Sequence, residues 1–326
     1  MRVYIIRRLL LTILVMFLAS LMVFFLIRLI PGSIVDLMVS QYEFYTEMDV
    51  AAVEKSMGLD VPIPTQYGRW IGVVPQADGS FRGIFQGDLG ISLWTREPVA
   101  EEIWARLPVT IELSIIALMV VLLIALPVGI YSAIRQDTWG DYIGRSFAIL
   151  CIAVPSFWLA TMVIVFPSIW WGYMPPITSI PFTEDPIGNL RMFVLPGVVL
   201  GMSLAGMTMR MTRSMLLEVL RQDYIRTAWA KGLREWVVVV RHALKNALIP
   251  VITLVGLQVP VLIGGSVIIE EIFCLPGLGR LIVDATTQRD YTMVSGVLLF
   301  FGGLTVLINL VVDLTYGFLD PRIQYG

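Results

Sequence analysis

The chain has 326 residues, of which 57% are hydrophobic and 15% charged. An ordinary soluble domain is roughly 25% charged, and here the apolar residues are gathered into long runs that a water-soluble core cannot use. The formal net charge of −2 decides little, because in a membrane protein the side on which charges sit matters more than their sum.

Residues 9–27 contain no charge, and the apolar character continues past Arg28 to Ile30. About 20 helical residues cross a hydrocarbon core of about 30 Å. Arg2, Arg7 and Arg8 precede this run as they would in a signal peptide. A signal peptide's apolar core is only about 7–15 residues long, however, and Pro31-Gly32 ends this run like a helix stop. Residues 1–30 are therefore expected to hold the N-terminal region and an uncleaved first span.

Residues 31–107 mix Pro, Gly and acids with apolar residues, and Trp70, Phe81, Phe85, Trp94 and Trp104 give the segment something to bury. A small ordered external cap with short helices is expected, with a floppy loop as the alternative. Residues 108–326 are expected to form a core of five further helices, because five more uncharged stretches follow.

The second span is 113–134. The third is 146–170; its uncharged run continues to Thr183, and Pro167, Pro175, Pro176 and Pro181 are expected to break it into helix plus loop. The fourth is 192–209, the fifth 246–269 and the sixth 291–312. Each excludes the side chains that cost about 2.5–3.5 kcal/mol at the bilayer centre. In the fourth span Gly197, Gly201 and Ala205 recur every four residues and make one narrow face for close helix packing, within the chain or between subunits. Gln258 and Asn309 are the main amides inside spans, equally suited to interhelical hydrogen bonds and to solute contacts. Glu112, Glu270, Glu271 and Asp313 fall at span ends, where water is expected to be near. Cys151 and Cys274 are read as packing residues rather than a disulfide framework.

Between the fourth and fifth spans, residues 210–245 carry eight basic and three acidic residues. Asp223 is expected to N-cap a helix beginning at Tyr224. Gly232 is expected to end that helix at positive φ, and a second helix should start near Arg234 and run on towards the fifth span. A helix–glycine–helix unit of this kind can dock in a partner's groove. The same basic loop could equally lie against lipid head groups.

Lys and Arg set the orientation. An inside N-terminus puts Arg2, Arg7, Arg8, Arg135, Arg145, the eight basic residues of 210–245 and Arg322 on the cytoplasmic side. On the opposite side the loop 168–190 has none and the loop 270–290 has Arg280 and Arg289, while the long 31–107 segment does not count. Six transmembrane helices with both termini cytoplasmic are expected, in an all-α multi-pass protein of the cell membrane.

Several chemistries are missing. The three lysines follow Glu54, Ala230 and Leu244, so no glycine-lysine phosphate loop exists and any ATP hydrolysis belongs to another chain. Gly277-Leu278-Gly279 lacks the third glycine of a dinucleotide fingerprint, because Ile282 stands there. A single histidine, His242, argues against a histidine-built metal site. No catalytic residue, cofactor, metal or nucleic-acid partner is expected. The middles of the spans also lack the acids and histidines that ion-driven carriers usually place there.

Over nearly its whole length the chain resembles the membrane subunit of ABC importers for dipeptides, oligopeptides and nickel. The resemblance begins at Tyr4-Ile5-Ile6-Arg7-Arg8 and Arg28-Leu29-Ile30-Pro31-Gly32, and continues through Gly87-Asp88-Leu89-Gly90 and Arg106-Leu107-Pro108-Val109-Thr110. It is strongest at Arg226-Thr227-Ala228-Trp229-Ala230-Lys231-Gly232-Leu233 and at Arg241-His242-Ala243-Leu244-Lys245-Asn246. Leu275-Pro276-Gly277-Leu278-Gly279-Arg280 and Leu319-Asp320-Pro321-Arg322 complete it.

The resemblance implies a type I importer permease core. Its coupling loop, at about 210–249, would dock on an ATPase subunit through Asp223, Arg226, Thr227, Ala228, Lys231, Gly232 and Leu244. Arg226 and Thr227 stand where the family's pattern has Glu and Ala, whereas Ala228 and Gly232 match it. The implied partners are a second homologous permease, two ATP-binding subunits, an external substrate-binding protein and the lipid bilayer. The competing reading is a stand-alone secondary carrier or channel.

Overall fold

Backbone polar groups have no water to bond in hydrocarbon, so long apolar runs close their hydrogen bonds internally as helices. The computed structural model describes residues 2–28, 60–92, 94–174, 176 and 180–319, and there the chain follows that rule. The elements are α1 (Arg2–Arg28), α2 (Ile63–Ile71), a 3-10 turn (Ile84–Gln86), α3 (Val99–Ile134), α4 (Trp139–Ala153), α5 (Ser156–Trp171) and α6 (Pro186–Leu220). Then come α7 (Asp223–Ala230), α8 (Glu235–Val237), a π-helical turn (Val238–Ala243), α9 (Leu244–Ile272), α10 (Leu278–Thr287) and α11 (Tyr291–Leu319). An isolated bridge pairs Ile91 with Pro98, and the described residues contain no strand.

Among the described residues, five stretches are long and apolar enough to cross a membrane: α1, α3, α6, the continuous run from Glu235 through α9, and α11. The sixth is a bent pair, α4 and α5, which meet at 97°. This corrects the expected third span. The break falls at Pro155, whose missing N–H and restrictive ring hold Val154 extended at φ −83°, ψ 121°. Pro167, expected to end the helix, lies inside α5, which closes instead at Gly172 in the left-handed conformation.

The chain divides into two compact units. The first comprises Met1–Ile13, Arg106–Val283 and Gly303–Gly326. Its largest core cluster brings together Leu113, Ile116, Phe193, Leu200, Leu262 and Ile269 from α3, α6 and α9. Gly197 and Gly201 permit the close approach of α6 to α3. A Cβ on Gly201 would lie 2.6 Å from the Ala117 carbonyl oxygen, and one on Gly197 would press on Ile116. Ala205, fully buried, continues the face into a cluster with Val121, Ala125, Cys151 and Met209.

The second unit comprises Leu14–Ala105 and Asp284–Gly302. Its aromatic centre is Phe24 against Tyr67, with ring centroids 5.1 Å apart, and Trp70 at 5.7 Å. Asp290 closes the N-terminus of α11 by accepting from Met293 N–H at 3.0 Å, and it also accepts from the Ser92 hydroxyl. The expectation that the aromatics of 31–107 are buried fails for four of the five. Phe81, Phe85, Trp94 and Trp104 are all more than half exposed, although Trp104 meets the edge of Phe300 at 6.0 Å, whereas Trp70 joins the Phe24 cluster. Among the described residues of this segment, one nine-residue helix and a 3-10 turn precede α3. Residues 31–59, including Pro31-Gly32, lie outside the described residues, as do Pro175 and the tail 320–326 with Arg322. The helix α3 begins at Val99, before the expected end of the external segment at residue 107.

Candidate functional site

The segment joining α6 to α9 is built from two opposed faces. Ile225 and Ala228, three positions apart on α7, are buried against Leu216, Val238, Ala243 and Ala247. That face fastens α7 to the end of α6 and the start of α9. The other face is open. Asp223, Tyr224, Arg226, Thr227, Trp229 and Lys231 are all exposed. Leu244, at the start of α9, is half-buried. Beyond α7, Leu233 and Trp236 are also exposed, Trp236 by 65%. Asn246 donates to the Tyr224 hydroxyl at 2.8 Å and ties α9 to α7.

Lys231 closes α7, and Gly232 follows at φ +76° with its N–H donating to the Trp229 carbonyl at 2.9 Å. Only glycine adopts that conformation without Cβ strain. Arg234 then leaves the turn extended and opens α8. Asp223 does not cap α7. The helix begins at Asp223 itself, with Gln222 before it and no side-chain cap. The Asp223 carboxylate instead accepts from Arg226 at 3.3 Å, an exposed pair one turn along the helix. The π-helical turn between α8 and α9 left no signal in the sequence.

Above this segment the spans carry polar pairs from residues far apart in the chain. Gln258 on α9 is buried and donates to Thr208 on α6 at 3.0 Å, so it bridges helices; Asn309 is exposed. Asp141 on α4 is fully buried and accepts both arms of Arg213 on α6, each at 2.7 Å. Glu270 is fully buried at the end of α9, which corrects the expectation of nearby water. One carboxyl oxygen accepts from the Thr110 hydroxyl at 2.8 Å. The other accepts from the N–H groups of Gly279 and Arg280 at 2.7 and 3.2 Å. Thr110 Oγ1 in turn accepts from Leu278 N–H at 2.9 Å. The first N–H groups of α10, which have no partner inside the helix, are thus satisfied by α3 and α9.

Comparison with known proteins gives a consistent picture. Residues 125–325 match the family described as binding-protein-dependent transport system inner membrane component, and residues 1–114 match its N-terminal counterpart. A putative peptide transport system permease protein of Brucella abortus (strain 2308) is 40% identical over 95% of each chain. A dipeptide transport system permease protein of Alkalihalophilus pseudofirmus is 39% identical over the full length of both. A glutathione transport system permease protein of Salmonella paratyphi A is 35% identical over 99% of each. Among solved structures, an amino acid ABC transporter crystallised with histidines matches at TM-score 0.53 and 13% identity, over 67% of this chain and 94% of that one.

Proposed function

The chain belongs to the family of binding-protein-dependent transport system inner membrane components and is a permease subunit of an ABC importer, a multi-pass protein of the plasma membrane; from that premise we propose what it carries and how it is driven. The solute is a peptide or a similar small molecule handed over by an external binding protein, the chemistry that the names of its relatives share. Two permeases, this chain and a homologous second one, form the path, and two ATP-binding subunits drive it. The termini lie in the cytoplasm, a reading that the Lys/Arg asymmetry supports.

The coupling joint is α7, Gly232 and α8. The observation that carries this reading is the exposure of Tyr224 and Trp229 on α7, Leu233 in the turn and Trp236 on α8, all beyond the uncharged run. The last eleven residues of α6 follow that run and carry the joint about 16 Å past it. A loop held only by lipid head groups needs basic residues but not aromatic rings this far from the hydrocarbon. Aromatic residues in such numbers fit a protein partner's pocket.

Thiol accessibility tests both parts in a background free of Cys151 and Cys274. A cysteine at Trp236 should react with a water-soluble maleimide in the isolated chain and roughly tenfold more slowly once the ATP-binding subunits are assembled. Equal rates would remove the docking role. In intact cells an impermeant maleimide should reach a cysteine at the exposed Ala77 but not one at Trp236; the reverse pattern would invert the orientation.

A further inference from the structure

We propose that α3, α4 and α6 form a binding site for the phosphate of an anionic phospholipid at their cytoplasmic ends; this rests on the orientation given under the proposed function. The three helices are pinched together there by glycine. A Cβ on Gly129 of α3 would lie 2.8 Å from Thr212 Cβ of α6, and one on Gly144 of α4 would overlap Ser132 of α3. The close approach gathers Arg145, Arg210 and Arg213 around one narrow crevice floored by Gly129, Ser132 and Gly144. Arg213 is committed to Asp141 through both nitrogens. Arg145 lies over the Tyr142 ring, 5.6 Å from its centroid. Among the described residues neither Arg145 nor Arg210 forms a salt bridge, and both are exposed.

The charge at this end is four guanidiniums (Arg135, Arg145, Arg210, Arg213) against two carboxylates (Asp137, Asp141). An anion therefore completes the cluster. Its depth identifies the anion as a lipid's. Arg135, Arg145 and Arg210 each directly flank an uncharged run, 113–134, 146–170 and 192–209, so each is the cation at the edge of an apolar stretch, where head groups lie. Immediately past Arg145, Ile149, Leu150 and Ile152 of α4 expose apolar side chains along which acyl chains can lie, and Trp139, 84% exposed, and Tyr142 stand at the rim. Basic crevices between helices on the cytoplasmic side are the recurrent form of such sites. The crevice is too narrow to enclose a phosphate, so the head group sits at its mouth beside the exposed guanidiniums of Arg145 and Arg210.

The test uses the full chain in nanodiscs of equimolar phosphatidylcholine and phosphatidylglycerol, with bound lipid counted by native mass spectrometry after detergent extraction. Wild type should retain phosphatidylglycerol in preference to phosphatidylcholine. Arg145→Gln with Arg210→Gln should lower that retention roughly tenfold or more, from about one screened charge interaction per arginine. The corresponding double lysine variant should keep most of it. Excess inorganic phosphate should not displace the lipid. Should the double glutamine variant fail to insert, each single variant must lose part of the preference. Undiminished retention in the glutamine variants, equal retention of the two lipids, or displacement by inorganic phosphate would each overturn the proposal. Labelling of Thr138→Cys from outside intact cells would instead overturn the orientation and leave the retention result standing.

Discussion

Two turns in the same unit solve the same geometric problem in opposite ways. Between α9 and α10 the chain reverses through residues 273–277, and between α7 and α8 through residues 231–234. The first turn is filled. Glu270 and Thr110 satisfy three N–H groups of α10, and a Cβ on Gly277 would overlap the Glu270 carboxyl. The second is open. Gly232 takes positive φ, nothing lies within 4 Å of a Cβ built on it, and its neighbours turn aromatic and basic side chains outward. A turn whose polar groups are met inside its own chain is a structural joint. A turn whose side chains point away from its own chain leaves them open to another one.

The contrast breaks most visibly at Glu270. Glu270→Ala leaves the Thr110 hydroxyl and two backbone N–H groups buried without an acceptor, at about 3 kcal/mol or more. Glu270→Gln keeps the shape and one carbonyl acceptor, and should cost about 1 kcal/mol. Thermal unfolding of the purified chain should order the midpoints wild type, glutamine, alanine. An alanine variant as stable as the glutamine one would mean that water, not Glu270, satisfies α10.

A smaller effect separates the glycines themselves. Gly277→Ala forces a side chain against a fixed carboxyl and should cost about 1–3 kcal/mol. Gly232→Ala meets no neighbour and pays only the positive-φ strain, about 1 kcal/mol. Unfolding midpoints of the two variants, measured side by side, sharpen the comparison. If Gly232→Ala were the more damaging to stability, the turn would be packed after all.

Much of this was legible from the sequence, for local reasons. The spans follow from uncharged runs, and the Gly232 turn from a glycine between two short helical stretches. The break falls at Pro155 rather than at Pro167, which α5 accommodates, because a proline's effect depends on whether the surrounding helix can absorb the bend. Glu270 was misread as near water because its partner Thr110 is 160 residues away. The Asp141–Arg213 pair, 72 residues apart, was invisible for the same reason. Asp223 looked like a cap by residue type, yet the helix starts one residue earlier than that role allows. Periodicity reveals which elements exist. It does not reveal which polar residues meet across them, and here those meetings fix the rigid turn.

The central claim is that the open turn is the joint to the ATP-binding subunits, and Gly232→Val tests it most directly. Valine at φ +76° strains only the local backbone, at about 1 kcal/mol or somewhat more, but it re-aims every residue beyond the turn. At matched expression, the variant should insert normally, retain less of the co-purified ATP-binding subunits and take up solute severalfold more slowly than wild type. Gly232→Asn, which tolerates the left-handed region better, should fall between the two. A valine variant that binds its partners and transports as well as wild type would contradict the account.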